Sequence, residues 1–540
     1  MLEKRWASLV VVCSALLVIS LDNTILHIAL PAIQTSFNAT LSELQWIVSS
    51  YVLVFASLLL TMGVIGDRLG RKPIFMFGLA WFGFFSLMAA FAQSTLMLII
   101  ARALMGFGAA VVMPATLSTV TATFTDEQER AQAIAIWAAV FGLGVGIGPV
   151  VGGFLLEHFS WHAVFFVNVP MVIISLAAGY RLIENSRDED PPEIDGIGVV
   201  LSISGVFALV YGIIEAGVKG WDSPDVVFAF SMATVVLLMF ACWEGINDTP
   251  MLPIGLFKNA AFGIASLALG LVTFVMFGLL LFMSPYLQLI QGYSPLETGI
   301  RLLPMALVGA VSAGYSARVT RMIGLRMTVS FGLLITVASM ILAAELMTVD
   351  TSYSIIVLTL SMLGVGMGMV ISPATNAIMG SLPDGKAGIG SAMNDTTRQL
   401  GGTLGVAVMG TIINSVYIEN VSGFIERSDV QSVLRMFSSE QVEEATRYVR
   451  GSLQGSHAVA GEIMKLAPDN MQVLAGRMSD MLIDASNQAF VNGSVQAMWF
   501  GVLIMLATTV FAAWLLPDLE PEPVVELEQP IPIPIPITGD

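Results

Sequence analysis

Apolar residues along this chain gather in runs of about twenty, separated by short polar breaks, and each run is long enough to cross roughly 30 Å of hydrocarbon as one helix. The pattern predicts fourteen membrane-spanning helices, centred near Leu17, Ala56, Gly83, Gly106, Gly144, Ile173, Phe207, Val235, Leu271, Leu307, Leu334, Gly364, Leu404 and Met505. Glu215, Lys219 and Asp222 fall between the seventh and eighth runs, which are expected to form a pair joined by a short turn. Lys4 and Arg5 precede the first run as they would in a secretory signal. That run is too long for one, carries Asp22 and shows no small-residue cleavage site, so it is expected to remain as a span. The expected fold class is an all-α polytopic membrane protein.

The polar breaks orient the spans. With the amino terminus inside, the inner segments hold thirteen Lys and Arg, whereas the short outer loops hold only Lys219. Both termini are therefore expected to be cytoplasmic. From about Ile418 to Asn492 the composition turns soluble, with Glu440, Glu443, Glu444, Arg447 and Arg450 spaced as on a solvated helix. This stretch reads as an outer helical insertion, either a plain solvated cap or a cap with a binding role. Beyond Pro517 the Ile-Pro pairs and acids read as an extended, disordered tail.

A repeat runs beneath this order. Pro114-Ala115-Thr116 on span 4 recurs as Pro373-Ala374-Thr375 on span 12, an offset of 259, and Gly144-x-x-x-Gly148 on span 5 recurs as Gly401-x-x-x-Gly405 on span 13, an offset of 257. Near-equal offsets suggest two six-helix halves with an extra helix pair between them. The expected divisions are residues 1–184 for the first half and 185–258 for a linker carrying two extra spans. Residues 259–516 form the second half, with the insertion at 418–492, and residues 517–540 form the tail.

Composition narrows the function. Only 12% of residues are charged against 56% apolar, which excludes an ordinary soluble enzyme. The net charge of −17 leaves no basic surface for nucleic acid, and Cys13 and Cys242 both lie inside apolar runs, where they form no disulfide framework or metal cluster. His27, His158, His162 and His457 show no ligand spacing, so no metal is expected. Gly380-Ser381-Leu382-Pro383-Asp384-Gly385-Lys386-Ala387 approaches a phosphate loop but lacks the final Ser or Thr and any preceding strand. It reads as a turn, and no cofactor or ATP motor is expected.

The turn after span 2 reads Gly63-Val64-Ile65-Gly66-Asp67-Arg68-Leu69-Gly70-Arg71-Lys72. Its glycines let helix ends approach, and an acid among bases makes and breaks charge pairs when helices rock. Span 5 carries Gly144-x-x-x-Gly148-Pro149-x-x-Gly152-Gly153, and span 4 carries Arg102. These motifs resemble those of the major facilitator superfamily, the span 5 pattern being similar to its antiporter signature. Leu21-Asp22-Asn23-Thr24-Ile25, Leu30-Pro31, Phe159-Ser160-Trp161-His162 and Asn168-Val169-Pro170 resemble its fourteen-helix drug:proton antiporter branch, which includes quaternary-ammonium exporters. The resemblance implies a gating role for Gly63, Asp67, Arg68, Gly70, Arg71, Lys72, Gly144, Gly148, Pro149, Gly152 and Gly153, with Asp67 latching against the start of span 13. The chain departs from the branch at Arg318, which stands where the second half would place an acid equivalent to Asp67, and at Asn394-Asp395, where some members carry paired glutamates.

Ionisable groups inside a bilayer cost at least about 2.5 to 3.5 kcal/mol, so each needs a partner, a wet cavity or a function. Asp22 and Arg102 are expected at one depth, counting Asp22 about eight residues from the outer end of span 1 and Arg102 about six from that of span 4. The pair either binds a proton or cation or is a permanent structural bridge. Asp395 and Arg398, three apart on span 13, either neutralise each other or form a second protonation or substrate site. Asp22, Arg102, Asp395 and Arg398 are thus the proton-coupling candidates. Asn23, Tyr51, Trp137, Phe141, Phe274 and Asn394, with Asp22 and Asp395, are the substrate-binding candidates, the aromatics through cation–π contact. Exchanging one cation for one proton is electroneutral, since each charge carries about 2.3 kcal/mol per 100 mV in opposite directions. The expected function is proton-driven export of small hydrophobic, cationic compounds by a monomer in contact only with protons, substrate and membrane lipids. Export of an endogenous metabolite or lipid, or a non-transporting scaffold or sensor, stands as the alternative.

Overall fold

The computed structural model describes residues 2–37, 39, 41–186, 195–247, 250, 252, 254–382, 387–428, 430–431, 439–466 and 472–517, and the regular elements among them are all helical. In chain order they are α1 (Leu2–Phe37), α2 (Leu41–Leu69), α3 (Arg71–Ala90), α4 (Thr95–Thr123), α5 (Glu127–His158), α6 (Ala163–Phe166), α7 (Asn168–Leu182), α8 (Gly196–Lys219), α9 (Pro224–Ile246), α10 (Ala260–Pro285), α11 (Pro295–Ile323), α12 (Leu325–Leu346), α13 (Tyr353–Gly380), α14 (Ala387–Ile425), α15 (Ser439–Gly451), α16 (Leu453–Leu466) and α17 (Gln472–Leu515). Fourteen spans are long and apolar enough to cross a membrane, α6 and α7 together making the sixth.

Local chemistry sets the helix ends. Gly70, at φ 101°, turns α2 into α3 through a backbone conformation that a side chain would strain. Ser94, Asp126 and Asn259 cap α4, α5 and α10 by accepting backbone N–H groups, and Ser294 forms a capping box with Glu297 at α11.

Two helix sets, α1–α7 and α10–α17, meet along two seams. In one, α5 lies against α11: a methyl on Gly153 would sit 2.9 Å from Leu296 Cα, and one on Gly299 would sit 2.7 Å from the Val150 nitrogen. In the other, Leu60 and Val64 of α2 pack with Ile389 and Ala392 of α14, joined by Phe240 and Leu252. Under the sequence repeat, span 5 on span 10 corresponds to span 13 on span 2, so these seams are equivalents. The first closes toward the end of α5 and the second toward the end of α2, which lie at opposite faces of the bundle. The helices α8 and α9 pack on each other, and α8 also touches α2 and α14. Only 22% of the apolar window of α9 is buried in the protein, against 72% for α1 and α2, so α9 presents most of its surface to lipid. Glu215 and Lys219, expected in the turn, belong instead to the last turns of α8. There Lys219 donates to Asp225 at 2.8 Å and bridges Glu215 at 3.0 Å, and those carboxylates hold its ammonium above the ordinary lysine range.

At the insertion the change of composition does not end the spans. The helix α14 runs on to Ile425 and α17 starts at Gln472, so span ends and two short helices build the cap together. Tyr417, Val421, Leu453 and Leu482 share its core, which rests on Leu289 and Ile290 of the π-turn after α10. The Tyr417 hydroxyl lies 2.7 Å from Ser456 Oγ, and His457 Nε2 lies 2.9 Å from Asn487 Oδ1. The acidic tail beyond residue 517 and the loop at 383–386 lie outside the described residues.

Candidate functional site

Asp22 sits on α1 against a stripe of glycines on α5. A methyl at Gly144 would lie 2.5 Å from Ser20 Cβ, one at Gly148 would strike Thr24, and Gly152 faces the Ile25 backbone at 3.4 Å. This stripe lets α1 approach α5 closely and fixes the height of Asp22. The carboxylate is fully engaged: Arg102 Nη1 donates to Oδ2 at 2.5 Å, and Asn168 Nδ2 donates to Oδ1 at 3.0 Å and lies 3.1 Å from Ser86 Oγ. Ser86 in turn donates to the Phe165 carbonyl at 2.9 Å. Arg102 also donates through Nε to the Ile47 carbonyl at 3.3 Å and lies over the Tyr51 ring, 4.3 Å from its centroid. The Asp22 and Arg102 side chains are each 1% exposed. The two residues meet although α1 continues through Pro31 to Phe37, fifteen residues beyond Asp22 rather than the eight counted from the apolar run. Asn168 entered the sequence reading only through the Asn168-Val169-Pro170 motif and not as a site residue, and Ser86 did not enter it. An amide at the head of the sixth span, just before Pro170, was the available signal.

A second cluster forms where the two sets of helices meet. Asp395 and Arg398 of α14 pair at 3.5 Å, with side chains 1% and 6% exposed. The Arg398 guanidinium lies 3.7 Å from the Phe141 ring centroid and 5.3 Å from that of Trp137, both on α5. Asp395 Oδ2, Arg398 Nε and Asn394 Nδ2 are buried and have no hydrogen-bond partner among the described residues. Neighbouring polar groups hold the cluster. Trp137 Nε1 donates to Thr116 Oγ1 at 3.1 Å, Thr375 Oγ1 donates to Asn394 Oδ1 at 2.9 Å, and Thr273 Oγ1 reaches the Arg398 carbonyl at 3.2 Å. Thr116 and Thr375 are the threonines of the repeated Pro-Ala-Thr. The repeat was visible in the sequence, but its function as a pair of side-chain anchors was not.

The binding candidates thus divide. Tyr51 belongs to the Asp22 cluster, whereas Trp137, Phe141 and Asn394 belong to the Asp395 cluster. Asn23 is half-buried beside Asp22. Phe274 approaches α14 through its backbone, its carbonyl facing Gly405.

The gating candidates divide between the glycine stripe of α5 described above, with Pro149 and Gly153, and the α2–α3 turn. Arg71 donates to Asp67 Oδ1 through Nε at 3.2 Å and Nη2 at 2.9 Å, and its backbone N–H donates to the Ser186 carbonyl at 2.9 Å. Lys72 donates to the Tyr180 carbonyl at 2.8 Å, Gly63 is buried in α2, and Arg68 is half-buried. The expected latch of Asp67 on the start of span 13 involves side chains outside the described residues. Among the described residues no group of three or more His, Cys, Asp or Glu is placed to hold a metal ion.

A family model described as Major Facilitator Superfamily matches residues 12–406. The chain is 34% identical over 504 residues to the multidrug efflux pump LfrA of Mycolicibacterium smegmatis, covering 93% of this chain and 95% of that protein. It is 32% identical over 413 residues to the tetracenomycin C resistance and export protein of Streptomyces glaucescens, covering 76% of each. Its fold is similar to the crystal structure of a human organic anion transporter, with a TM-score of 0.56 at 14% identity, over 93% of this chain and 99% of that one.

Proposed function

The chain belongs to the major facilitator superfamily, and from that premise we propose that this multi-pass cell-membrane protein is a drug exporter that expels hydrophobic organic cations in exchange for protons. The observation that carries the reading is the Asp395 cluster. A carboxylate with one unpartnered oxygen faces the seam between the helix sets, beside two aromatic rings already engaged by a cation. Such a site offers an organic cation a counter-charge and π-faces in a desolvated setting, where a cation–π contact is worth about 2 kcal/mol or more. Export by the named relatives supports the direction of transport. The thirteen-to-one excess of Lys and Arg in alternate segments supports cytoplasmic termini.

Alternating access is read from the two seams. Opening the α2–α14 seam exposes the Asp395 cluster to the face of the α2–α3 turn, and opening the α5–α11 seam exposes it to the other face. With both closed, the structure corresponds to an occluded state. Asp22, with both oxygens engaged by Arg102 and Asn168, serves as a linkage between α1, α4 and α7 that changes its bonding as the first helix set rocks. Asp395 is the site where proton and substrate exclude one another. No metal or other cofactor takes part in this scheme, and the proton gradient supplies the work.

Ethidium efflux from everted membrane vesicles, with and without an imposed proton gradient, tests the reading. Gradient-dependent ethidium movement that is lost in Asp395→Asn is the expected result. Absence of gradient-dependent movement of any lipophilic cation would overturn it.

A further inference from the structure

Resting on that reading, we propose that Arg398 is a tethered competitor of the substrate: its guanidinium occupies the place on Phe141 and Trp137 that an organic cation takes, and binding requires its displacement. A resident ligand should sit within contact of the recognition groups, be sealed from solvent and leave part of its own bonding capacity unused. Arg398 does all three. It lies 3.7 Å from Phe141 and 5.3 Å from Trp137, is 6% exposed, and has an unpartnered Nε. Its bond to Asp395 is long, at 3.5 Å, and Asp395 Oδ2 accepts no hydrogen bond among the described residues, so the pair is not closed as Arg102 and Asp22 are at 2.5 Å. A guanidinium is planar, delocalised and weakly hydrated, which makes it a chemical likeness of the cations it would yield to.

Charge balance gives the consequence. With Asp395 and Arg398 both ionised the site is neutral, and adding a monocation would leave one buried charge uncompensated, which is costly in a membrane interior. The entering cation therefore takes over the rings and the carboxylate while the guanidinium withdraws. The site favours flat, delocalised monocations, and the returning guanidinium promotes release. Arg398 sets affinity and specificity by competing for the site.

The test measures equilibrium binding of ethidium to the purified full-length chain in lipid nanodiscs by fluorescence anisotropy. It compares the native chain, Arg398→Gln, Phe141→Leu and the double variant, with thermal melts to establish that each is folded. Arg398→Gln is expected to tighten ethidium binding by about thirtyfold, the worth of one desolvated cation–π contact. Phe141→Leu in that background should abolish the gain. In Arg398→Ala, added methylguanidinium should compete with ethidium at concentrations that leave the native chain unaffected. Equal or weaker binding by Arg398→Gln, with the native chain binding normally, overturns this inference alone. Binding of no lipophilic cation by any of the four chains overturns the export reading and this inference with it. Should Arg398→Gln fail to fold, the methylguanidinium competition in Arg398→Ala, or Arg398→Lys with its less stackable ammonium, carries the same comparison, with tighter ethidium binding by Arg398→Lys expected and weaker binding contrary.

Discussion

Phe141 and Arg398 are 257 residues apart, the offset that separates Gly144 from Gly401 in the sequence repeat, and they touch, the guanidinium lying 3.7 Å from the ring centroid. Residues related by a repeat can meet in this way only near the axis that relates the halves. The centre of the molecule is thus an aromatic position in one half facing a cationic position in the other. Trp137 and Asn394 share the same offset, and each is anchored to the threonine of its own Pro-Ala-Thr.

Those anchors yield the first prediction. Thr116→Val leaves the buried Trp137 N–H without a partner, a loss of about 1 to 3 kcal/mol, and Thr375→Val does the same to Asn394 Oδ1. Each variant should melt at lower temperature in detergent and raise the ethidium concentration for half-maximal efflux severalfold. Thr→Ser at either site should restore both. Lowered stability with unchanged ethidium dependence would show that the anchors serve folding alone.

The Asp22 network behaves as a buried pair whose partners cannot be removed singly. Arg102→Ala leaves a buried carboxylate with Asn168 as its remaining partner, a loss of about 3 to 5 kcal/mol. The double change Asp22→Asn with Arg102→Ala should therefore be more stable than Arg102→Ala alone, an inversion that a thermal-melt cycle detects. Asp22→Asn alone should keep ethidium binding, because Tyr51 and Arg102 are in another cluster from Phe141, but should slow gradient-driven efflux. Undiminished efflux would reduce Asp22 to a structural tie.

Glycines on α5 separate packing from mere helix flexibility. At Gly148 a methyl collides with Thr24, whereas at Gly142 it meets nothing within 4 Å. Gly148→Ala should destabilise by about 1 to 3 kcal/mol through overpacking. Gly142→Ala should be neutral or stabilising by up to about 1 kcal/mol, since alanine is the better helix former. Equal melting temperatures for the two variants would contradict the close seating of α1 on α5.

These predictions mix what the chain reveals in one dimension with what it does not. The fourteen spans were legible because a bilayer demands about twenty apolar residues per crossing. Asp22, Arg102, Asp395 and Arg398 were legible because charge is rare in such runs. The pairing of Asp22 with Arg102 followed from shared depth, although the helix end used for that count was misplaced: apolarity marks where the bilayer ends, and α1 continues past it. Other contacts between distant segments were not legible. Nothing in the spacing of Tyr51 separates it from Trp137, yet Tyr51 covers Arg102 and Trp137 faces Arg398. Nor does apolarity distinguish α9, mostly against lipid, from α2, mostly against protein.

The extra helix pair gives the last prediction. In α9, Glu244 Oε2 accepts the backbone N–H of Leu252 at 2.9 Å, and Leu252, 6% exposed, is buried among Leu60, Val64, Ile389 and Ala392 where α2 meets α14. The connection to the second half thus inserts a side chain into a seam that must part during transport. Leu252→Ala removes packing that exists only while this seam is closed, so it should favour the state open on that face. Its cost of about 2 to 5 kcal/mol falls on the closed state alone. The exposed Cys242 must first be changed to serine so that it does not report, whereas Cys13 is buried. An Ala392→Cys probe in that background should then react with a membrane-impermeant maleimide at least tenfold faster when Leu252→Ala is added. Labelling should occur only from the face that bears the α2–α3 turn. Glu244→Gln should give a smaller increase, because an amide oxygen still accepts the Leu252 N–H. Equal labelling rates with and without Leu252→Ala would mean that the extra pair only thickens the bundle and does not help to hold this seam closed.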